Sequence, residues 1–133
     1  MDLATFAAKM MAASIACEKH LGDSMEKACV VLENSAKDAI GTYKFGWAPL
    51  GPAAVAKHGD TPLLDTGELK ASITHNSDRH EGYVGSDNKK ATWHEFGTSK
   101  IPARPFLGGA VAHDGQKAAD MIANGALKSI TGP

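Results

Sequence analysis

The feature that most constrains this chain is a run of apolar residues at helical spacing over its first forty positions. Leu3, Phe6, Ala7, Met10, Ser14, Cys17 and Leu21 recur at steps of three and four, followed by Met25, Ala28, Cys29, Leu32, Ala36 and Ile40. That period is the mark of a helix with one apolar face. Lys9, Glu18 and Lys19 fall largely off the stripe. Gly22-Asp23 is a candidate break, because Asp23 followed by Glu26 has the pattern of a helix restart. Gly41 is a candidate stop. One long helix and a kinked pair both satisfy the pattern. A single helix would span about 55–60 Å. A domain of this size needs far less, so part of the helix packs on something else or the helix bends.

At 133 residues the chain fits one domain, 1–133. With 43% hydrophobic and 22% charged residues, it has the material for a core. Its 14 Lys+Arg against 15 Asp+Glu give a net charge of −1. A dedicated nucleic-acid binder carries a clear basic excess, so bulk charge argues against that class and leaves only local patches. No stretch approaches the roughly 18–20 apolar residues of a membrane helix. Asp2 leads the first apolar run and Lys9 interrupts it, which argues against a secretion signal. On one helix, Cys17 and Cys29 stand about 18 Å apart. A disulfide needs about 7 Å. They read as two small thiols in a reducing compartment.

Beyond the helical segment at 1–40, residues 41–62 change character. Gly41, Gly46, Pro49, Gly51, Pro52, Gly59 and Pro62 argue against any regular element there. Trp47 in this loop is expected to anchor it to a core or a partner. Residues 63–104 read as a small sheet with an extended arm. Asp65-Thr66-Gly67-Glu68 has the form of a helix start, with Asp65 as cap. Leu69 and Ile73 then share one face. Residues 72–76 also fit a strand, as do Gly82 to Gly85. Thr92 to Phe96 fits either a strand or a helical turn. The arm, 87–104, ends in Ile101-Pro102-Ala103-Arg104-Pro105, and both residues before a proline are pushed toward extended geometry. Pro105 opens a closing helix over 105–131, with Asp114-Gly115 as a candidate interruption. The order is that of an α+β fold: a long N-terminal helix (straight or kinked), a small antiparallel sheet, an extended arm and a C-terminal helix.

Several short patterns bear on chemistry. Leu63-Leu64-Asp65-Thr66-Gly67 has the signature of an aspartic protease, which as a single-motif chain must dimerise to bring two carboxylates together. Glu68 stands where a small residue is expected, and the helical first forty residues do not suit that nearly all-strand fold. The competing reading is a helix cap. His94-Glu95 begins like a zinc-protease motif, but Thr98 occupies the position of the second histidine. No metal set and no cofactor is expected from these residues. Gly108-Gly109 lacks the lysine of a phosphate loop. Lys89-Lys90 reads as a solvated loop tip.

Taken in order, one series is more specific. Trp47-Ala48-Pro49-Leu50 precedes Leu63-Leu64-Asp65-Thr66-Gly67-Glu68-Leu69-Lys70-Ala71-Ser72-Ile73. Val84-Gly85-Ser86, Trp93-His94-Glu95-Phe96-Gly97-Thr98 and Ile101-Pro102-Ala103-Arg104-Pro105-Phe106-Leu107 complete it. This series resembles the tail-completion, or virion-morphogenesis, proteins of tailed bacteriophages. The resemblance covers about residues 25–130 and leaves the first 24 unmatched.

The resemblance implies a non-enzymatic structural protein of the neck, joining the tail to the DNA-filled head. It implies a ring, commonly sixfold, between the head connector or head-closure proteins and the tail terminator or tail tube. DNA would pass through without specific binding. A tail-tube terminator is the alternative within the same virion setting. A ring needs head-to-tail contacts between different patches. Trp93, His94, Glu95, Phe96, Arg104, Pro105 and Phe106 are the candidate contact residues, with Arg104 available to Glu95 or to a neighbour's carboxylate. The same aromatics equally suit the chain's own core. Trp47, Asp65, Thr66, Gly67, Leu69, Ile73 and Gly97 form the structural part of the series.

Overall fold

The first apolar run folds as one helix, α1 (Leu3–Ala39), with no break at Gly22-Asp23. Asp2 caps it, its carboxylate accepting from the Thr5 amide at 2.7 Å. The computed structural model describes residues 2–64 and 67–131; the side chains at 12–17, 58 and 128–131 are outside that description. The stripe positions Ser14 and Cys17 fall there, as does Ile130. At 37 residues, α1 is about 55 Å long.

The 41–62 segment is not wholly irregular, as its glycines and prolines suggest. It carries a short helix, α2 (Pro52–His58). Pro52 stands in the first turn, where its missing N–H costs no intrahelical bond, and Gly59 ends the element. Next come α3 (Glu68–Ser72), β1 (Ile73–Ser77), β2 (Gly82–Ser86), α4 (Lys89–Phe96) and α5 (Phe106–Thr131). Gly67 is the N-cap of α3; Asp65 and Thr66, which have the form of its start, lie outside the described residues. β1 and β2 form an antiparallel hairpin running from Ile73 opposite Ser86 to Ser77 opposite Gly82. The hairpin turn is closed by the Asp78 carboxylate, which accepts from the amides of His80 and Glu81. The fold is α+β, as the segment order indicates. The 92–96 ambiguity resolves as helix, and α5 runs unbroken through Asp114-Gly115.

The longest contact in the molecule is between α1 and α5. The buried positions along it are small: Ala28, Ala36 and Ala39 on α1, Ala110 and Ala118 on α5. Small side chains let the two helices approach closely. At Gly125 the helices approach closely, since a Cβ there would strike the Ser24 side chain and crowd the His20 carbonyl. With Gly125 beside His20 and Gly109 beside Phe45, the two helices run antiparallel. Larger residues gather at the other end of the pair, where Ile40, Trp47, Leu69, Ile73 and Phe106 form one core. Trp47 anchors its loop there, with Phe45 edge-on to it at 5.8 Å.

The hairpin lies along the polar flank of α1. Arg79 pairs with Glu18 at 2.8 Å, Ser77 donates to Glu26 at 2.6 Å, and His75 sits between Glu26 and Glu33, 2.6 Å from each. Hydrogen bonds accepted by the Glu26 carboxylate, then by that of Glu33, raise the His75 pKa above its ordinary 6.5. Glu26 is lowered by Ser77 and then His75. Burial pushes Glu33 upward, but His75 and Lys37 outweigh it and the net shift is downward.

Candidate interaction surface

The residues from Asn88 to Leu107 form a knot around α4. Asn88 caps the helix, its side chain accepting from the Lys90 amide at 2.9 Å. The Asn88 amide in turn donates to the Ser86 hydroxyl at 3.1 Å. The sequence pattern starts an extended arm at residue 87. Instead, residues 89–96 are helical, and only 97–105 are irregular. Those residues do not project. They fold back on α4, with the Arg104 amide donating to the His94 carbonyl at 2.7 Å and the Thr98 amide to the Ile101 carbonyl at 3.0 Å. Gly97 makes the reversal possible. Its φ is 78°, a region that side-chain-bearing residues rarely enter. A Cβ there would come within 2.8 Å of the Ala103 nitrogen.

Glu95 and Arg104, which the sequence offers as partners, do separate jobs. The Glu95 carboxylate accepts from the amides of Leu107 at 3.0 Å and Gly108 at 2.9 Å. It therefore satisfies the first turn of α5, where free N–H groups and the helix dipole favour an anion. Arg104 is only 7% exposed and donates to the Ala48 carbonyl at 3.0 Å. That bond ties the 97–105 segment to the Trp47 loop. Arg104 is thus internal in this fold. Phe106 is fully buried and belongs to the core, the second of the two settings that suit these aromatics. Pro105 is exposed.

Trp93 and Phe96 have the opposite fate. They are 50% and 77% exposed, on a helix fixed at both ends. Trp93 borders a shallow polar groove with Lys89, Lys90, Asp87 and Glu68. Beside it lies a cavity of about 220 Å³ lined by Leu50, Leu63, Leu64 and Leu69, with His94 and Lys90 on its wall. Burial, followed by the charges of Arg104 and Lys90, lowers the His94 pKa below 6.5, so the imidazole is neutral at pH 7. The α3–α4 face thus offers an aromatic ridge, a charged groove and an apolar hollow. Sequence reasoning names the ridge but misses Asn88, whose signal is its place as the cap of α4, and it reads Lys89-Lys90 as a loop tip where they form the first turn of that helix.

Cys29 is buried and unpaired, with burial pushing its thiol pKa up, as expected of an inert packing residue. The protease pattern rests on Asp65 and Thr66, outside the described residues. Among the described residues, no helix is long and apolar enough to cross a membrane.

Known proteins share parts of this chain. It is 44% identical over 72 residues to the Mu-like prophage FluMu G protein 2 of Haemophilus influenzae, covering 49% of this chain and 51% of that protein. The chain thus spans about half the length of the curated relative it matches. No solved structure matches it. The model of the phage virion morphogenesis family matches residues 4–126, taking in most of the first 24 residues that the motif series leaves out. With so much of its length matched, the chain belongs to the phage virion morphogenesis family.

Proposed function

We propose that this protein is a minor structural component of the phage neck, completing the tail and joining it to the DNA-filled head. The observation that carries this reading is the family match over residues 4–126. The reading extends to a closed ring of copies, sixfold by resemblance, between head connector or head-closure proteins and the tail terminator or tube. The rigid α4 face supports it. Trp93 and Phe96 are large, exposed and held on a helix capped at both ends, and aromatics of this kind dominate protein interfaces. A net charge of −1 suits a wall past which DNA moves, because a basic wall would bind phosphate and resist transit.

Disrupting the gene in its parent phage tests the reading by electron microscopy of the lysate. Separate filled heads and finished tails are the expected result. Normal infectious particles would refute it. Tails of irregular length would instead identify a tube terminator. Binding of the purified protein to isolated tails, against isolated filled heads, then orders the joint.

A further inference from the structure

The two ends of the β1–β2 hairpin are held in different ways. Its base is apolar: Ile73 is fully buried, and Val84 packs against the same core. From Thr74 to Tyr83 no residue is buried, and the side chains that tie this tip to α1 are polar. Segments with few buried apolar contacts open at lower cost than the whole fold. The Arg79–Glu18 pair is about half exposed on both sides and contributes little. The main hold on the tip is His75.

His75 stands between two carboxylates of α1, with Nδ1 2.6 Å from Glu33 and Nε2 2.6 Å from Glu26. A neutral imidazole has one N–H and one lone pair. Glu26 and Glu33 are both held below the ordinary carboxylate range, so near neutral pH each offers only acceptors. Both contacts are hydrogen bonds only while the ring carries both protons. Loss of one proton leaves a lone pair facing a carboxylate. Lys37 sits 3.2 Å from Glu33, Ser77 donates to Glu26, and β2 presents Val84, which does not titrate. Among the described residues, Glu26 and Glu33 are the charged groups that act on the ring.

The tip covers part of α1. A Cβ at Gly82 would strike the Cys29 sulfur and crowd Met25, and the main chain of Tyr83 hydrogen-bonds the same sulfur. With the tip in place, Cys29 is 4% exposed. We infer that the hairpin tip, residues 74–83, is a pH-released strap: the doubly protonated His75 ring latches it to Glu26 and Glu33, and loss of one ring proton lets it lift from α1 and uncover Cys29. The anchored base at Ile73 and Val84 is the hinge. The strap belongs to the single chain and stands apart from the neck reading.

Labelling of Cys29 by a pyridyl disulfide, read from its own peptide in the full chain, tests the strap. His75→Gln should label about tenfold faster than the wild type near pH 6, and the ratio should approach one near pH 9. Taking the ratio at each pH cancels the ionisation of the thiol itself. A ratio of one near pH 6 would overturn the inference. So would a ratio that stays high to pH 9, because His75 would then act by packing and not through its proton. Dilute urea should hardly change the labelling rate of either protein. A steep rise would mean that Cys29 is reached only by global unfolding, and the strap would be rejected. Glu33→Gln keeps the ring and removes one of its anions, while Glu26 is the carboxylate that acts on the Cys29 thiol. Labelling of this variant should therefore begin to rise at a lower pH than in the wild type, and an unmoved profile would reject the latch.

Discussion

The two halves of α1 are written in the same period and have opposite fates. From Ala28 to Ala39 the stripe is buried against α5 and the hairpin. From Leu3 to Met11 it faces outward. The buried apolar positions there are Ala28, Cys29, Ala36 and Ala39, with Leu32 half-buried, whereas the exposed half carries Leu3, Phe6 and Met10. Small residues let α5 approach closely. Large ones project from the helix surface. Periodicity therefore identifies which face of a helix is apolar, but not whether the partner is in the same chain.

The largest expected effects break the core side of this comparison. Phe106→Ala empties a fully buried site and should lower unfolding free energy by about 3–5 kcal/mol in urea titration. Phe6→Ala removes the same side chain from the exposed half and should change monomer stability by less than about 0.5 kcal/mol. Similar losses from both variants would mean the helix start is packed within the monomer. Gly97→Ala comes next. Its positive φ and the nearby Ala103 nitrogen should cost about 1–3 kcal/mol, detected as a lower unfolding midpoint. A neutral result would show that the fold-back at Gly97 is not required.

His75→Gln sharpens the comparison, because His75 ties only the packed half of α1 to the hairpin. Its loss should cost about 1–2 kcal/mol near pH 5.5. The folded pKa of His75 is raised, so its contribution is complete below about pH 6.5 and fades as pH rises through the folded value. Glu26 and Glu33 are lowered. Their contribution is present above about pH 4.3 and fades as pH falls through their folded values. The wild-type advantage over the variant should therefore peak between about pH 4.5 and 6.5 and shrink toward pH 9. A pH-independent difference would leave only packing. The smallest effect belongs to Asp2→Ala. Faster amide exchange confined to the first turn of α1 is expected, with no change in the unfolding midpoint. A global change would show that the helix start is coupled to the core.

Much of the candidate surface is legible in the residue pattern. The Trp93–Phe96 pair, the Gly97 reversal and the Trp47 anchor all lie in motifs whose residue types restrict their setting. Aromatic identity does not decide burial. Trp93 and Phe96 face solvent while Phe106, ten residues beyond Phe96, is among the most enclosed side chains of the core. Gly97 turns the chain back onto α4, and the returning segment carries Arg104 and Phe106 into the molecule while Trp93 and Phe96 stay outside. A charge between two prolines suggests an extended, exposed segment, and Arg104 departs from that pattern. It is buried because the segment folds onto the Ala48 carbonyl.

By itself the sequence determined the helical period of both long segments and the two strands of the hairpin, because these depend on neighbours a few positions apart. It also carried the family series, which depends on residue order alone. The tertiary structure decided where α5 ends along α1, which carboxylates close on His75, and which aromatics remain outside. Glu26 and Glu33 lie about two turns apart on one helix, but their shared partner lies more than forty positions away from either. Such contacts are set by how whole elements pack, and local residue patterns do not encode that.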